Sequence, residues 1–427
     1  MKLRNWLSAS TGSQFRRNFL KIARANIIAM ALPIALAPLL TRLFMPADYA
    51  VLGVFTATVG LLASFATWRL DWMLPNARTI RMSASLAALS LLVLACVCAL
   101  VAIVLTVLPQ RVFDATPLKD IGWIAFLIPI ALAAAGMRQT LSGWFVRQAD
   151  LSAVSKATVL QSVGNSAVSL AAGTANLGSL GLVGATVAAN WLGVGTLLRQ
   201  AGLSFLFALK RVSRRSMRAA CAKHGRSATW STLVAVVNAA SLSAPLLVLA
   251  HYYQAHEVGW YALMQRLVGA PAGALTSALG QSFWAQAAEL ARAKQVRELA
   301  GLYKKTTRRL LLACIPIAFV CMLGPLYVGR IFGEAEWSGA GYALLAMTPQ
   351  FLGGMLFSPT NHLVVFDKQH VQLVADGIRL ALVVLSIALA AYLEWGFISA
   401  VALSSFSFFL GHAVLFAVHL RIHKAYE

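Results

Sequence analysis

Between Ile22 and Val418 the chain returns again and again to predominantly apolar stretches of about twenty residues, set apart by short polar or charged segments. Coiled as an α-helix, a stretch of that length crosses roughly 30 Å, the thickness of the hydrocarbon core of a bilayer. In that solvent every backbone N–H and C=O has to be satisfied inside the protein, which makes helices the open choice for such runs. Composition agrees. Hydrophobic residues make up 59% of the 427 positions and charged residues 12%, against roughly 25% charged in soluble globular chains. The sequence predicts an all-α polytopic membrane protein.

Twelve spans are predicted, at 20–43, 48–68, 83–108, 121–145, 152–173, 177–200, 229–251, 257–283, 309–331, 339–362, 371–392 and 396–419. The fifth is interrupted by Lys156, Gln161 and Asn165. Basic residues ahead of the first span suggest a signal peptide, but the basic region is too long and no small-residue cleavage site follows. Residues 1–19 are therefore expected to stay as a cytosolic or interfacial segment. A first six-helix bundle is expected at 20–209, a basic cytosolic connector at 210–228, a second bundle at 229–420 and a cytosolic tail at 421–427.

Charge sets the expected orientation. The formal net charge is +22. With a cytosolic N-terminus and alternating spans, the outward segments hold only Arg42, Arg111, Lys119 and Arg330 of the 36 basic residues, but seven of the fourteen acids. This is the positive-inside bias, which inversion would reverse. Topology thus accounts for the charge, and a nucleic-acid partner is not expected. The largest basic run, Lys210–Arg226, reads as an orientation signal that also rests on anionic headgroups. No expected outward segment exceeds about fifteen residues, leaving no room for an extracellular catalytic domain.

Familiar reaction chemistry is missing. Cys96, Cys98, Cys221, Cys314 and Cys321 have neither a disulfide framework nor a zinc spacing. There is no phosphate loop, no HExxH and no paired carboxylates at a plausible site, so no catalytic residue and no metal is expected. The Gly-rich NLGSLGLVGA (Asn176–Ala185) follows no predicted strand, and small residues at that spacing allow close helix packing in lipid.

The two halves echo one another: ALPIALAPLLTRLFMPADYAVLG and SLSAPLLVLAHYYQAHEVG each place Pro in an apolar span before a polar turn ending in Gly53 or Gly259. Such parallel repeats are a transporter arrangement. LLTRLFMPADYAVLG, WRLDWMLPNA, VGWYALMQRLVGAPAGAL (Val258–Leu275) and IFGEAEWSGAGYALLAMTPQFLGGMLFSPTNHLVVFDKQ (Ile331–Gln369) follow in this order and spacing. In these motifs the chain resembles, over about residues 20–390, the Wzx-type flippases of lipopolysaccharide, O-antigen and exopolysaccharide biosynthesis. That family lies within the multidrug/oligosaccharidyl-lipid/polysaccharide exporter superfamily. The resemblance implies two six-helix bundles around a central cavity. It also implies a bacterial plasma-membrane transporter that moves an undecaprenyl-diphosphate-linked glycan from the inner to the outer leaflet. Membrane lipids and other polysaccharide assembly proteins are the further implied partners. No cofactor is implied, though the family leaves room for coupling to a proton or sodium gradient.

A diphosphate headgroup with about two negative charges requires a wet cationic path, because burying even one unpaired ion is prohibitive. Intramembrane bases without matching acids are therefore the candidates. Arg266 lies about 13 Å into the eighth span with no acid within four residues, and an isolated intramembrane Arg marks a functional site by default. A structural contact is its alternative. Arg24 and Arg138 are read as cavity-lining or as snorkelling to the interface. Lys156 joins them on the fifth span, where Gln161 and Asn165 share a face at i,i+4. Arg69 is an interface anchor beside Trp68 and Trp72, and the resemblance adds a role at the cavity entrance. Asp376 and Arg379, three apart, are expected to neutralise each other as a structural ion pair. Gln281, Gln350, Asn238 and His412 are read as helix–helix contacts, and Pro33, Pro38, Pro271, Pro349 and Pro359 as helix bends. The competing functions are a drug/cation antiporter of the same superfamily, disfavoured by the scarcity of acids in spans, and a polysaccharide polymerase or ligase.

Overall fold

The computed structural model describes residues 27–75, 77, 79–107, 121–148, 150–269, 271–273, 275–276, 283, 296–357 and 369–426. These form helices and connecting turns, with no strand among the described residues. We number the helices α1 (Ile27–Leu43), α2 (Pro46–Ala63), α3 (Ile80–Val107), α4 (Ile128–Arg147), α5 (Leu151–Thr174), α6 (Gly178–Lys210) and α7 (Arg214–Tyr252). After these come α8 (Ala255–Met264), α9 (Val296–Met322), α10 (Gly324–Phe332), α11 (Glu334–Ala346), α12 (Thr348–Phe357), α13 (Gln369–Tyr392) and α14 (Phe397–Tyr426). Seven helical stretches among the described residues are long and apolar enough to cross a membrane, or nine if two bent pairs each count as one span. The protein is an all-helical, multi-pass membrane protein.

Each of the twelve stretches expected from the sequence carries helix. Two are bent. Within 309–331 the axis turns by 63° between Gly301–Met322 and Gly324–Phe332, and within 339–362 by 41° between Ala335–Ala346 and Thr348–Phe357. Pro325 and Pro349 sit in the first turn after the respective breaks, where a missing N–H is harmless and the fixed φ starts a new helix. Pro33 and Pro38 lie within α1. The basic stretch after Arg214 is not a loop but the N-terminal part of α7, continuous with its apolar part.

Chain entry into helices uses an acid at the third position. Asp48 accepts from the N–H of Met45 at 3.0 Å, and Glu257 from that of Gln254 at 3.3 Å; each satisfies a donor that the helix leaves open. The two echoing half-starts thus share a cap as well as a pattern. At the α5–α6 link the chain turns through Asn176 (φ 54°) and Gly178 (φ 52°), residue types that tolerate the left-handed region. Beyond it, a Cβ on Gly181 would stand 2.7 Å from that of Ala172. The Gly-rich run is a close-packing device between two helices.

By contacts the chain divides into two units. The first comprises Met1–Leu40, Leu62–Leu108 and Trp123–Thr232, and the second Thr41–Leu61, Pro109–Gly122 and Leu233–Glu427. The division therefore cuts α1 after Leu40 and α7 after Thr232, and gives nearly all of α2 to the second unit. The first unit is built on Leu74, Leu86, Leu141, Leu197 and Phe205, with Trp144 edge-on to Phe205 at 5.1 Å between centroids. Much of α3 faces outward, with Leu92, Leu100, Ile103 and Val107 exposed; in lipid that apolar face is at home. In the second unit glycines set the spacing. A methyl on Gly259 of α8 would occupy the place of the Pro46 carbonyl, and one on Gly341 of α11 would lie 2.6 Å from the carbonyl of Gly324. Tyr49 meets Trp337 edge-on at 5.4 Å, and the Trp337 indole donates to the carbonyl of Thr41.

Candidate functional site

In the second unit, α8 runs on into one π-helical turn, Gln265–Gly269. Pro271 explains it. Proline lacks an N–H and its ring crowds the carbonyl four residues back, here that of Leu267, so the turn widens. Such single π turns cluster at functional positions. Arg266 sits in this turn, half-buried, eleven residues and about 16 Å from the start of α8. It makes no ion pair or hydrogen bond with any described residue. The group acting on it electrostatically is the buried phenol of Tyr49. Among the described residues, the guanidinium is thus held in the helix without a counter-charge.

The other side of the π turn carries Gln265 into a polar chain. Tyr261 donates its hydroxyl to Gln350 Oε1 at 3.1 Å, and Gln350 Nε2 donates to Gln265 Oε1 at 2.7 Å. Gly269 makes room for this amide, since a Cβ there would stand 3.0 Å from Gln265 Nε2. A second polar centre surrounds Arg379 of α13. Its Nη1 lies 3.0 Å from Asp376 Oδ1 and 3.1 Å from His412 Nε2, and Nη2 donates to Asn238 Oδ1 at 3.2 Å. Its guanidinium also lies 5.1 Å from the Phe408 ring. Gly411 on α14 leaves the space through which the Arg379 stem passes, because a Cβ there would fall 2.6 Å from Cγ. Gln265, Gln350, Asn238, Arg379 and His412 all line one cavity of about 250 Å³.

The first unit places its candidates separately. Arg138 on α4 stands nine residues, about 13 Å, from Arg147 at the helix end. It is half-buried, its Nε has no partner, and no charge acts on it among the described residues. Gln161 and Asn165 of α5 turn toward α6. Gln161 Nε2 donates to Asn190 Oδ1 at 2.5 Å, and Thr186 donates to Asn165 Oδ1 at 3.4 Å. Lys156 is exposed. Arg24 and Pro359 lie outside the described residues.

Arg69 is not on an α-helix, as a span ending at residue 68 suggests. Helix α2 stops at Ala63, and the chain then passes Trp68 (φ 51°) and Arg69 (φ 52°) into a 3-10 turn, Leu70–Met73. Two consecutive side-chain-bearing residues in the left-handed region cost about 1–2 kcal/mol each, so surrounding contacts must hold them. The Trp68 indole donates to Thr229 Oγ1 at 3.1 Å, Arg69 lies over Trp72 at 4.3 Å, and Thr67 donates to Asp71 Oδ1 at 2.6 Å. Gly143 of α4 backs directly onto the turn, where any Cβ would stand 2.7 Å from the Asp71 carbonyl. Burial pushes the Asp71 carboxyl upward, against the pull of the Thr67 hydroxyl and of Arg69, and pushes the Arg69 guanidinium downward. Arg69 and Asp71 form no ion pair.

The cavity around Arg379 was hidden in the sequence. Asn238, Gln350 and His412 each look like an isolated polar residue on its own helix, and their convergence is a tertiary fact. The available signal was the number of polar side chains among the spans of one half.

Comparison with known proteins places this architecture. A family model described as polysaccharide biosynthesis protein matches residues 39–340. Among solved structures, a multidrug resistance MATE family transporter of the MOP superfamily, inward-facing, aligns with a TM-score of 0.71 at 15% identity, covering 94% of this chain and 95% of that one. The lipid II flippase MurJ, inward closed, aligns with a TM-score of 0.72 at 9% identity, covering 95% and 89%. A MATE protein in complex with MaL6 gives 0.65 at 14% identity, covering 95% and 96%. At these identities the likeness carries the fold. No individually curated protein sequence matches the chain. With twelve helical stretches in the fold of the MOP transporters and a family match over most of its length, the chain belongs to the polysaccharide biosynthesis protein family.

Proposed function

We propose that the protein is a flippase. It moves a polyprenyl-diphosphate-linked oligosaccharide from the inner to the outer leaflet of a bacterial plasma membrane by alternating access, in the manner of Wzx-type exporters. The observation that carries this reading is the pair of unneutralised arginines, Arg266 in the second unit and Arg138 in the first. Both are half-buried in helices, with no acid and no hydrogen-bond partner among the described residues. An unpaired guanidinium carried within a membrane span is expensive. It is explained when an anion completes it during the working cycle, and a diphosphate is the anion that this family's cargo carries. Arginine suits the task because its planar fork matches phosphate oxygens two at a time. Family membership and the flippase fold of MurJ support the same cargo class.

A drug/cation antiporter needs a membrane-embedded acid free to take a cation. Asp376, at the sixth position of its span where Asp48 and Glu336 lie in the first turns of theirs, has Arg379 against it at 3.0 Å. Against a polymerase or ligase, the solved structures that share this fold are described as transporters and a flippase, which favours transport. The test is deletion of the gene, followed by measuring where lipid-linked glycan resides and how much surface glycan is made. The proposal expects accumulation on the cytosolic leaflet and loss of surface glycan. Unchanged surface glycan with no accumulation contradicts it.

A further inference from the structure

The cavity of about 250 Å³ inside the second unit has a one-sided hydrogen-bonding wall. A guanidinium has no acceptor, so its bonds fix the groups around it. Asn238 must turn its oxygen toward Arg379, which leaves the Asn238 amide N–H groups open. His412 must offer Nε2 as an acceptor, so it is neutral, with Nδ1–H donating to the carbonyl of Phe408 at 3.2 Å. Gln350 has its oxygen on Tyr261, and Gln265 has its oxygen on Gln350, which leaves the Gln265 amide N–H groups open as well. Arg379 Nε is buried without a partner in a residue that is 3% exposed, and the hydroxyl of Thr276 also lacks one. The amide and imidazole acceptors on this wall are engaged, and the open amide and guanidinium valences are donors.

A cavity that offers donors around a cation complements a ligand made of acceptors. Its volume would hold about eight waters at ~30 Å³ each, more room than a monatomic ion needs. We propose that it binds an oxyanion of the phosphate class, with Arg379 as cationic anchor and Asn238, Gln265 and Thr276 as neutral donors.

Charge balance adds a condition. Asp376 is 2% exposed, touches Arg379 through Oδ1, and its Oδ2 has no hydrogen-bond partner. Gln372 one turn away faces this carboxyl, and His412, the titratable group on α14, meets Arg379. The lining positions on α7, α12 and the π turn bring no further charge, and Arg266 interacts with Tyr49 instead. Arg379 and Asp376 sum to zero, so an entering anion would leave a net negative charge in a buried site. Binding is therefore linked to uptake of a proton by Asp376, which removes the like charge and leaves the Arg379 charge to face the anion. The proposal does not rest on the flippase reading. It concerns a cavity within one unit and is read without transport.

The experiment measures binding of inorganic pyrophosphate to the purified full-length protein in detergent, by calorimetry and thermal shift, in the Arg138→Ala/Arg266→Ala background so that the two other free guanidinium groups are silent. Saturable binding is expected, weakening by up to about tenfold per pH unit once the carboxyl must be reprotonated. Asp376→Asn should tighten binding about tenfold or more, by removing a like charge, and flatten the pH dependence. Thr276→Val and Gln265→Met leave the ionic centre intact and should weaken binding several-fold; Arg379→Gln should abolish it. Competition by a polyprenyl diphosphate assigns the site to a lipid headgroup, and pyrophosphate binding without competition assigns it to a free anion; both support the proposal. It is overturned if neither probe binds at millimolar concentration, if Asp376→Asn weakens binding or leaves it unchanged, or if the Thr276 and Gln265 variants bind like the parent.

Discussion

Two arginines in spans of the second unit should respond to truncation in opposite ways. Arg379 is bonded to Asp376, His412 and Asn238. Arg379→Ala leaves a carboxylate that is 2% exposed with no counter-charge, and breaking a buried pair from one side costs about 3–5 kcal/mol. Arg266 has no such partner among the described residues, so Arg266→Ala leaves no described group without its bond and removes an uncompensated charge. Its stability should stay within about 1 kcal/mol of the parent or rise, as for sites free of the usual damaging mechanisms. Function should divide the other way. A charge-assisted hydrogen bond is worth about 1.5–3 kcal/mol, so losing one bond to the cargo phosphate slows export about 10- to 150-fold. Arg266→Lys, which keeps the charge but loses the fork, should fall between. The assay pairs thermal unfolding in one detergent with complementation of surface glycan in a deletion strain, at matched expression. If Arg266→Ala unfolds as readily as Arg379→Ala, or exports at the parental rate, the reasoning about unpaired guanidinium groups is wrong.

Packing and local electrostatics give further tests. Gly259→Ala places a methyl in the Pro46 carbonyl and should lower stability by about 1–3 kcal/mol; Gly60→Ala, which meets nothing within 4 Å, should raise it by about 0.5–1 kcal/mol, both read by thermal unfolding. Asp71 carries a carboxyl raised by burial, so the folded state holds its proton more tightly than the unfolded one. Stability should then decline as pH rises from the ordinary aspartate value of 3.8 through the raised value. Asp71→Asn should flatten that decline in a pH series of melts. For Gln161 and Asn190, a double-mutant cycle on unfolding should give a coupling of about 0.5–1.5 kcal/mol.

What the sequence discloses and what it withholds divide along physical lines. Apolar runs of membrane length are local, so the helices of α3, α5 and α13 fall close to where periodicity and composition put them. Breaks are less legible. The 63° bend before Gly324 and the π turn at Gln265 depend on how neighbours absorb Pro325 and Pro271, which a single segment cannot reveal. The turn at Trp68 and Arg69 was invisible for a related reason: its left-handed backbone is held by Thr229, 161 positions away. Among candidate residues, Asp376 and Arg379 are neighbours on one helical face, and their 3.0 Å contact follows from spacing alone. Gln161 and Asn165 share a face as their spacing requires, but the partner helix bearing Asn190 and Thr186 could not be named. Asn238, Gln350 and His412 come from three distant helices, and only tertiary packing makes a cavity of them.

The most direct measurement uses purified protein in proteoliposomes that carry a fluorescent polyprenyl-diphosphate oligosaccharide, with its leaflet reported by a membrane-impermeant quencher. The account predicts protein-dependent translocation that falls at least about tenfold in Arg266→Gln and in Arg138→Gln, with both variants folded. Translocation at the parental rate in both variants, or none with the parental protein, contradicts it.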